Sequence, residues 1–351
     1  MEKIKLLSLV NAFDVKGNVL SVKPYGKGHI NETFIITTDA RRYILQKIND
    51  YVFTDVEGLM KNVCGITGHL RAKGVETLFS VPTHNGKNFI YDGGYYRVYE
   101  FIEGTKTYQK VTDKNLFKNV GFAFGTFINA LADYDKNALS VVIPDYHNTP
   151  KRFSDFISAL IKDQKNRAKN CKKEIDFLIK RKDTLFKVVD GLKCGELPLR
   201  VIHNDTKINN VLIDAKTGVP RAVIDIDTVQ EGSLLYDFGD AIRSGAVTAN
   251  EDEKNLNKIA LDLTLFKFFA EGFLSALKNE MTPKEKELLP YSVYLLTVEL
   301  ASRFLSDYLN GDVYFKTDYE NHNLIRAKAQ ISLVKDVENK MSEMEKIIKE
   351  L

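Results

Sequence analysis

Apolar and polar residues alternate over residues 18–25, 32–37 and 42–48, the period of strands with one buried face. Shorter runs at 78–82, 89–92 and 95–102 read the same way, the first stopped by Pro82. A helical period marks residues 2–13 and 55–73; the second carries Val56, Met60, Val63, Ile66 and Leu70 on one stripe, with Gly74 as its stop. Beyond Gly104 the helical period dominates, predicting helices over 115–134, 153–171, 174–192, 260–277, 284–309 (begun by Pro283) and 330–351. The pattern predicts an α+β chain with a small β-rich lobe over residues 1–103 and a large helical lobe over 104–351.

One stretch, residues 201–227, interrupts the helical part. His203-Asn204-Asp205 follows an apolar run, and Asn210 lies five residues after Asp205. Strand-like runs at 210–214 and 221–225 flank a turn containing Gly218 and Pro220. Paired as a hairpin, they set Asp214 opposite Arg221 and Asn210 opposite Asp225. An amide oxygen and a carboxylate then meet beside the Asp205 loop. Two oxygen ligands suit Mg²⁺, which takes few protein ligands and keeps positions for water and phosphate. Asp205 is left to accept a proton. A polar turn and a surface hairpin would supply the same residues singly; here spacing, residue type and register agree.

H-x-D-x-x-x-x-N followed by a metal-binding Asp is a pattern used by kinases. The stretch resembles the aminoglycoside phosphotransferase and choline kinase-like superfamily, in which H-G-D-x-x-x-x-N precedes an I-D at the end of such a hairpin. The resemblance implies a two-lobed, protein-kinase-like fold with a nucleotide-binding N-terminal lobe and a catalytic, substrate-binding C-terminal lobe. It implies ATP as co-substrate, Asp205 as catalytic base, and Asn210 and Asp225 as ligands of Mg²⁺. Asn210, not Asn209, has the right spacing. The literal D-F-G at Asp237-Phe238-Gly239 lies too late for the metal motif; Asp237 is expected to cap or anchor a helix over 240–247. Asp227 shares a strand face with Asp225 by the period of two, and is open between a second Mg²⁺ and a hydrogen-bonded role. Lys207 stands where many protein kinases aim a lysine at the transferred phosphate, or is a solvent-exposed lysine.

Gly26-Lys27-Gly28-His29-Ile30-Asn31 joins two strands as the phosphate-covering loop does in the kinase fold. Gly26 and Gly28 would let backbone N–H groups approach phosphate oxygens; a plain hairpin turn has the same letters. His29 and Asn31 are candidates to reach the substrate. On the third strand the position expected to hold a phosphate-binding Lys falls on Gln46, with Lys47 on the other face. Backbone groups of Glu100, Phe101 and Ile102, entering Gly104, resemble the hinge that pairs with adenine.

With 351 residues, 28% of them charged and 44% hydrophobic, the chain can build two sizeable cores. A net charge of +3 without a basic, aromatic stripe argues against nucleic acid. Three widely spaced cysteines argue against a disulfide framework and for a reducing, cytoplasmic setting. The run Leu6 to Val10 is too short for a signal core or a membrane span. Oligomeric state is not legible.

Arg303 to Phe315 ends a helix in an aromatic turn. Arg and Tyr beside a glycine suit a sugar, whereas an Arg303–Asp307 surface pair over core aromatics would read the same way. Several segments resemble the N-acetylhexosamine 1-kinase family: P-Y-G-K-G-H-I-N from Pro24, R-Y-I-L-Q from Arg42, R-V-Y-E-F-I-E from Arg97, R-V-I-H-N-D-T-K-I-N-N from Arg200 and R-F-L-S-D-Y-L-N-G-D-V-Y-F from Arg303. That family also carries Gln on the third strand. The resemblance implies phosphorylation of the anomeric hydroxyl of N-acetylglucosamine or N-acetylgalactosamine, with His29, Asp205, Arg303 and Tyr314 on the sugar. The rivals are a kinase of choline, homoserine or an aminoglycoside, and a non-catalytic nucleotide-binding module, for which Gln46 is the motive.

Overall fold

The structure is a computed structural model that describes residues 2–26, 30–277 and 280–351. Its elements are α1 (Glu2–Val10), β1 (Val19–Pro24), β2 (Glu32–Thr38), β3 (Arg42–Ile48), α2 (Val56–Ala72), β4 (Ser80–Val81), β5 (Ile90–Tyr91), β6 (Tyr95–Glu100), β7 (Thr105–Lys106), α3 (Lys114–Ala130), α4 (Thr149–Lys162), α5 (Lys172–Ile179), α6 (Lys187–Cys194), β8 (Arg200–Ile202), β9 (Val211–Asp214), β10 (Pro220–Val223), β11 (Gln230–Gly232), α7 (Leu234–Gly245), α8 (Leu263–Leu277), α9 (Pro283–Asn310) and α10 (His322–Glu350). They form two compact units. The first comprises Met1–Thr107, Asp133–Pro144 and Val211–Gln230; the second comprises Tyr108–Ala132, Asp145–Asn210 and Glu231–Leu351.

In the first unit an antiparallel sheet runs β1-β2-β3-β6-β4, with β5 also on β6. The alternating side chains Val22, Ile36, Tyr43, Leu45 and Val98 bury one face against Leu9, Val10 and Phe13. α1 stops at Val10, short of the predicted end, and Phe13 forms a β-bridge with Thr83. In α2, Asp55 caps the start by accepting from Gly58 N–H at 2.9 Å, and Gly74 at φ +73° ends it.

The hairpin β9–β10 forms, joined by β7. Its register differs from the expected one. Pro220 faces Ile213, then an irregularity at Arg221 lets Ala222 face Leu212 and Val223 face Val211. Asp214 therefore pairs with Thr105 in the ladder and meets Arg221 only through side chains at 3.4 Å. Asn210 and Asp225 lie beyond the ladder. Asn210 ends the 3₁₀ turn Ile208–Asn210, and Asp225 takes a left-handed φ of +58° before the 3₁₀ turn Ile226–Thr228. Asp225 and Asp227 thus share no strand face.

In the second unit α3 lies against α8 at backbone contact distance. A Cβ on Gly121 would sit 2.3 Å from the Phe269 carbonyl oxygen, and one on Gly272 only 1.9 Å from that of Lys118. α9 opens on a capping box of Thr282 and Glu285 with Pro283 behind it, and packs with α4, α7 and α10. Three helices differ from the pattern. α4 begins earlier, capped by Asn148 with a proline in its first turn, and ends where Asp163 goes left-handed. The helix expected over 174–192 breaks at the 3₁₀ turn Lys182–Thr184, because Tyr291 and Tyr294 hydrogen-bond Thr184 and hold it out of helical register. α10 starts at His322, fixed there by Asn323 Nδ2 donating to Asp307 and Asp312, both at 2.9 Å. No described helix is long and apolar enough to cross a membrane.

Candidate active site

The Asp205 loop leaves β8 and is tied down from α7. Asp237, fully buried, accepts from the N–H of His203 at 2.8 Å and of Asn204 at 2.7 Å, and its carbonyl accepts from Thr206 Oγ1 at 2.5 Å. Asp237 lies inside α7, whose start is capped by Ser233. Its carboxylate anchors the loop rather than capping the helix. Burial pushes its carboxyl up to about 7, against the pull of the two N–H donors. Asn204 sits at φ +67°, a conformation Asn tolerates better than most residues. Within this bend Asp205 is fixed from two sides. Lys207 Nζ lies 2.6 Å from Oδ1, and Asn210 Nδ2 donates to Oδ2 at 3.0 Å and to the Asp205 carbonyl at 2.8 Å. The Asp205 charge raises the Lys207 pKa above its usual value, Asp240 adding to it against burial.

Around this carboxylate the second unit gathers charges. Asp240 is held below the usual carboxylate range: burial alone would raise it, and Arg243, Lys207 and His147 outweigh that. Arg243 donates to Asp240 Oδ1 at 2.6 and 3.1 Å and to Glu251 at 3.3 Å. Tyr146 is raised by burial and by Asp205 and lowered by Arg303, so its hydroxyl is coupled to both. The Arg303 guanidinium lies 5.7–5.8 Å from the ring centres of Tyr146, Tyr314 and Phe315. Its ion-pair neighbour is Glu299, at 4.0 Å, not Asp307. Glu299 is occupied by His147 Nδ1 at 2.8 Å and Thr149 Oγ1 at 2.5 Å. Asp307 instead accepts from the N–H groups of Val313, Tyr314 and Phe315, each at 2.9 Å, folding the turn that displays Tyr314, 58% exposed. The surface pair over core aromatics is thereby replaced by a built turn.

In the first unit Gln46 is tied up within the sheet. Its Oε1 accepts from Arg97 Nε and Nη2 at 3.1 and 2.9 Å, and its Nε2 donates to Thr33 Oγ1 at 3.2 Å. Lys47 reaches Glu32 at 3.4 Å. Asn31 donates to Asp227 Oδ2 at 2.8 Å and accepts from Asn49 N–H at 3.0 Å. Asp227 also meets Arg97 Nη2 at 2.7 Å, so its Oδ2 is hydrogen-bonded from two sides. Gly26 takes φ +75° with no atom within 4 Å of its would-be Cβ; Gly28 and His29 lie outside the described residues. In the hinge segment Glu100 N–H bonds Phe79, Phe101 N–H bonds Arg42, and Ile102 carbonyl accepts from Thr105. A purine there would have to pair with other backbone groups.

Asn210 commits its amide N–H groups to Asp205, which leaves Oδ1 as its ligand-capable atom, and in the first unit Asp225 carries a carboxylate on a left-handed turn; each by itself is an oxygen group of the kind a hard cation takes. Sequence reasoning did not single out Tyr146 or Arg97. The legible signal for Arg97 was a cation inside the apolar run Y-R-V-Y, where burial demands a partner.

A model of the phosphotransferase enzyme family matches residues 21–265. Among solved structures, an aminoglycoside phosphotransferase from Alicyclobacillus acidocaldarius is 12% identical, with a TM-score of 0.66 over 98% of this chain and 96% of its own. A microcompartment-associated aminopropanol kinase is 18% identical, with a TM-score of 0.63 over 97% and 98%. The choline kinase of Cryptosporidium parvum is 14% identical, with a TM-score of 0.59 over 98% and 97%. At these identities the likeness is one of fold, the α+β kinase-like fold of aminoglycoside phosphotransferases. Matched over well more than half its length, the chain belongs to the phosphotransferase enzyme family.

Proposed function

We propose that the protein is an ATP-dependent kinase that transfers the γ-phosphoryl group to the anomeric 1-hydroxyl of an N-acetylhexosamine. The observation that carries the substrate class is the Arg303 turn. Asp307 fixes the backbone of residues 313–315, so that Tyr314 stands beside a guanidinium also faced by the rings of Tyr146 and Phe315. Rings that would cage a quaternary ammonium already face a cation, and Arg303 repels choline or an aminoglycoside. Hydroxyls and an acetamido carbonyl are acceptors that an Arg and a Tyr can bind.

Asp205 is the proposed base. Lys207 and the Asn210 amide hold its two oxygens, and each oxygen keeps a lone pair that can accept a hydroxyl proton. The sugar O1 attacks the γ-phosphorus, its proton passes to Asp205, and the bond from phosphorus to the bridging oxygen breaks to release ADP. Asn210 and Asp225 are the proposed holders of Mg²⁺, which when bound neutralises phosphate charge. Gly26, Gly28 and the segment Glu100-Phe101-Ile102 are assigned to ATP, and His29 joins Arg303 and Tyr314 on the sugar. Product identification tests this reading. Incubation with Mg²⁺-ATP and N-acetylglucosamine should give a phosphorus resonance coupled to the anomeric proton; a phosphosugar without that coupling, or no phosphosugar from either epimer, contradicts it.

A further inference from the structure

Arg97 and Asp227 form the most deeply buried ion pair among the described residues, 1% and 3% exposed with Nη2 to Oδ2 at 2.7 Å. The pair lies within the first unit, at the junction of four chain segments. Arg97 is on β6, directly across the ladder from Gln46 on β3. Its Nε and Nη2 both donate to Gln46 Oε1, and its Nη1 lies 3.7 Å from Met60 Sδ on α2. Asp227 is two residues after Asp225, in the 3₁₀ turn that Asp225 opens. The same Oδ2 accepts from Asn31, whose Oδ1 holds the backbone of Asn49 after β3. The other oxygen, Oδ1, is buried with no hydrogen-bond partner.

In protein kinases a lysine on the third strand pairs with a glutamate on the adjacent helix, and the pair sets the nucleotide site. Here the third strand carries Gln46, and the α2 side chain that Arg97 Nη1 meets is the neutral Met60. A lysine at position 46 would face Arg97 across the ladder, cation against cation. The neutral amide is what a cation on the neighbouring strand requires.

We propose that Arg97 and Asp227 are the relocated counterpart of that ion pair: positioning residues that fix the Asp225 turn to β3, β6 and the segment carrying Asn31, and so present the Asp225 carboxylate for the metal-bound nucleotide. The inference rests on the kinase reading above and deepens it. Stability alone does not account for the pair. Two buried charges of this kind are commonly replaceable by apolar residues without loss of stability, whereas loss of one partner leaves a bare charge. A fork that reaches Gln46 and Asp227 together sets a geometry, which a lysine cannot reproduce.

The test is calorimetric titration of ADP, with and without Mg²⁺, into the wild type, Arg97→Met, Arg97→Lys, Asp227→Asn and the double variant Arg97→Met/Asp227→Leu, with melting temperatures alongside. Asp227→Asn is expected to keep its metal-free ADP affinity and to lose about 10–100-fold of the affinity for Mg²⁺, the usual effect of removing a group that orients a metal ligand. Arg97→Lys should recover only part of the Arg97→Met loss. The double variant should regain melting temperature but not the Mg²⁺ response. A double variant that regains both, or single variants with an undiminished Mg²⁺ response, overturns the inference and leaves the kinase reading standing. A wild type whose ADP binding ignores Mg²⁺ overturns that reading, and the inference with it.

Discussion

Lys207 Nζ lies 2.6 Å from Asp205 Oδ1, two residues away along the same loop, while Asn210 Nδ2 holds the other oxygen. The carboxylate is thereby oriented by a cation and an amide from within one short bend. Asp205→Asn should lower kcat by about 10²–10⁴-fold with little change in ADP affinity. Near-wild-type turnover would remove Asp205 from the base role. The Lys207 pKa is raised by Asp205, so on the alkaline side the ammonium outlasts the pH at which an ordinary lysine loses its charge. The rate should show no falling limb from Lys207 up to about pH 10, checked by a pH–rate profile against Lys207→Met.

Asp225→Ala and Asn210→Ala should each raise the Mg²⁺ concentration needed for half-maximal ADP release, by about 10-fold or more for the carboxylate. Asn210→Ala has a second effect, since it also frees Asp205 Oδ2, so its kcat should fall as well. Unchanged metal titrations in both variants would refute their assignment.

Asp237 ties down the Asp205 loop through two buried N–H groups. Asp237→Ala should cost about 1–3 kcal/mol for each N–H left bare, read from urea unfolding. The sign of its pH dependence is fixed by the raised value of about 7 against the usual 3.8. A carboxyl that binds its proton more tightly when folded confers stability in full below the usual value and loses it as pH rises towards the folded one. Relative to Asp237→Asn, the wild type should therefore lose stability between about pH 4 and about pH 7. A difference that is flat or rises over that window contradicts the value.

Arg303→Met should raise KM for the sugar by roughly tenfold to a hundredfold, the cost of a lost charged hydrogen bond, and leave KM for ATP unchanged. Tyr314→Phe should cost a few-fold. Asp307→Ala releases three backbone N–H groups and should reproduce the Arg303→Met effect without touching a side chain on the sugar. KM values for the sugar unchanged from the wild type's in all three would detach the turn from substrate binding.

What was legible in the chain was local. The strands at residues 32–48, the capped helix from Asp55, and the spacing of Asp205 and Asn210 are each set by neighbours in sequence. The hairpin was legible as a hairpin, but not its register, which a single irregularity at Arg221 shifts. The break after α5 was hidden because it is held by tyrosines of α9, more than a hundred residues away. Asp237 read as a helix cap because nothing in its own segment shows that it accepts from His203 and Asn204. Gln46 looked like a missing charge until β6 was seen to place Arg97 opposite it.

The most direct test of the central claim is ADP release with Mg²⁺-ATP across N-acetylglucosamine, N-acetylgalactosamine, glucose, galactose, choline, homoserine and kanamycin, with Asp205→Asn as control. Turnover on the N-acetylated sugars that disappears in the control is the predicted result. Turnover confined to choline, homoserine or kanamycin, or ADP release that survives Asp205→Asn, would contradict the account.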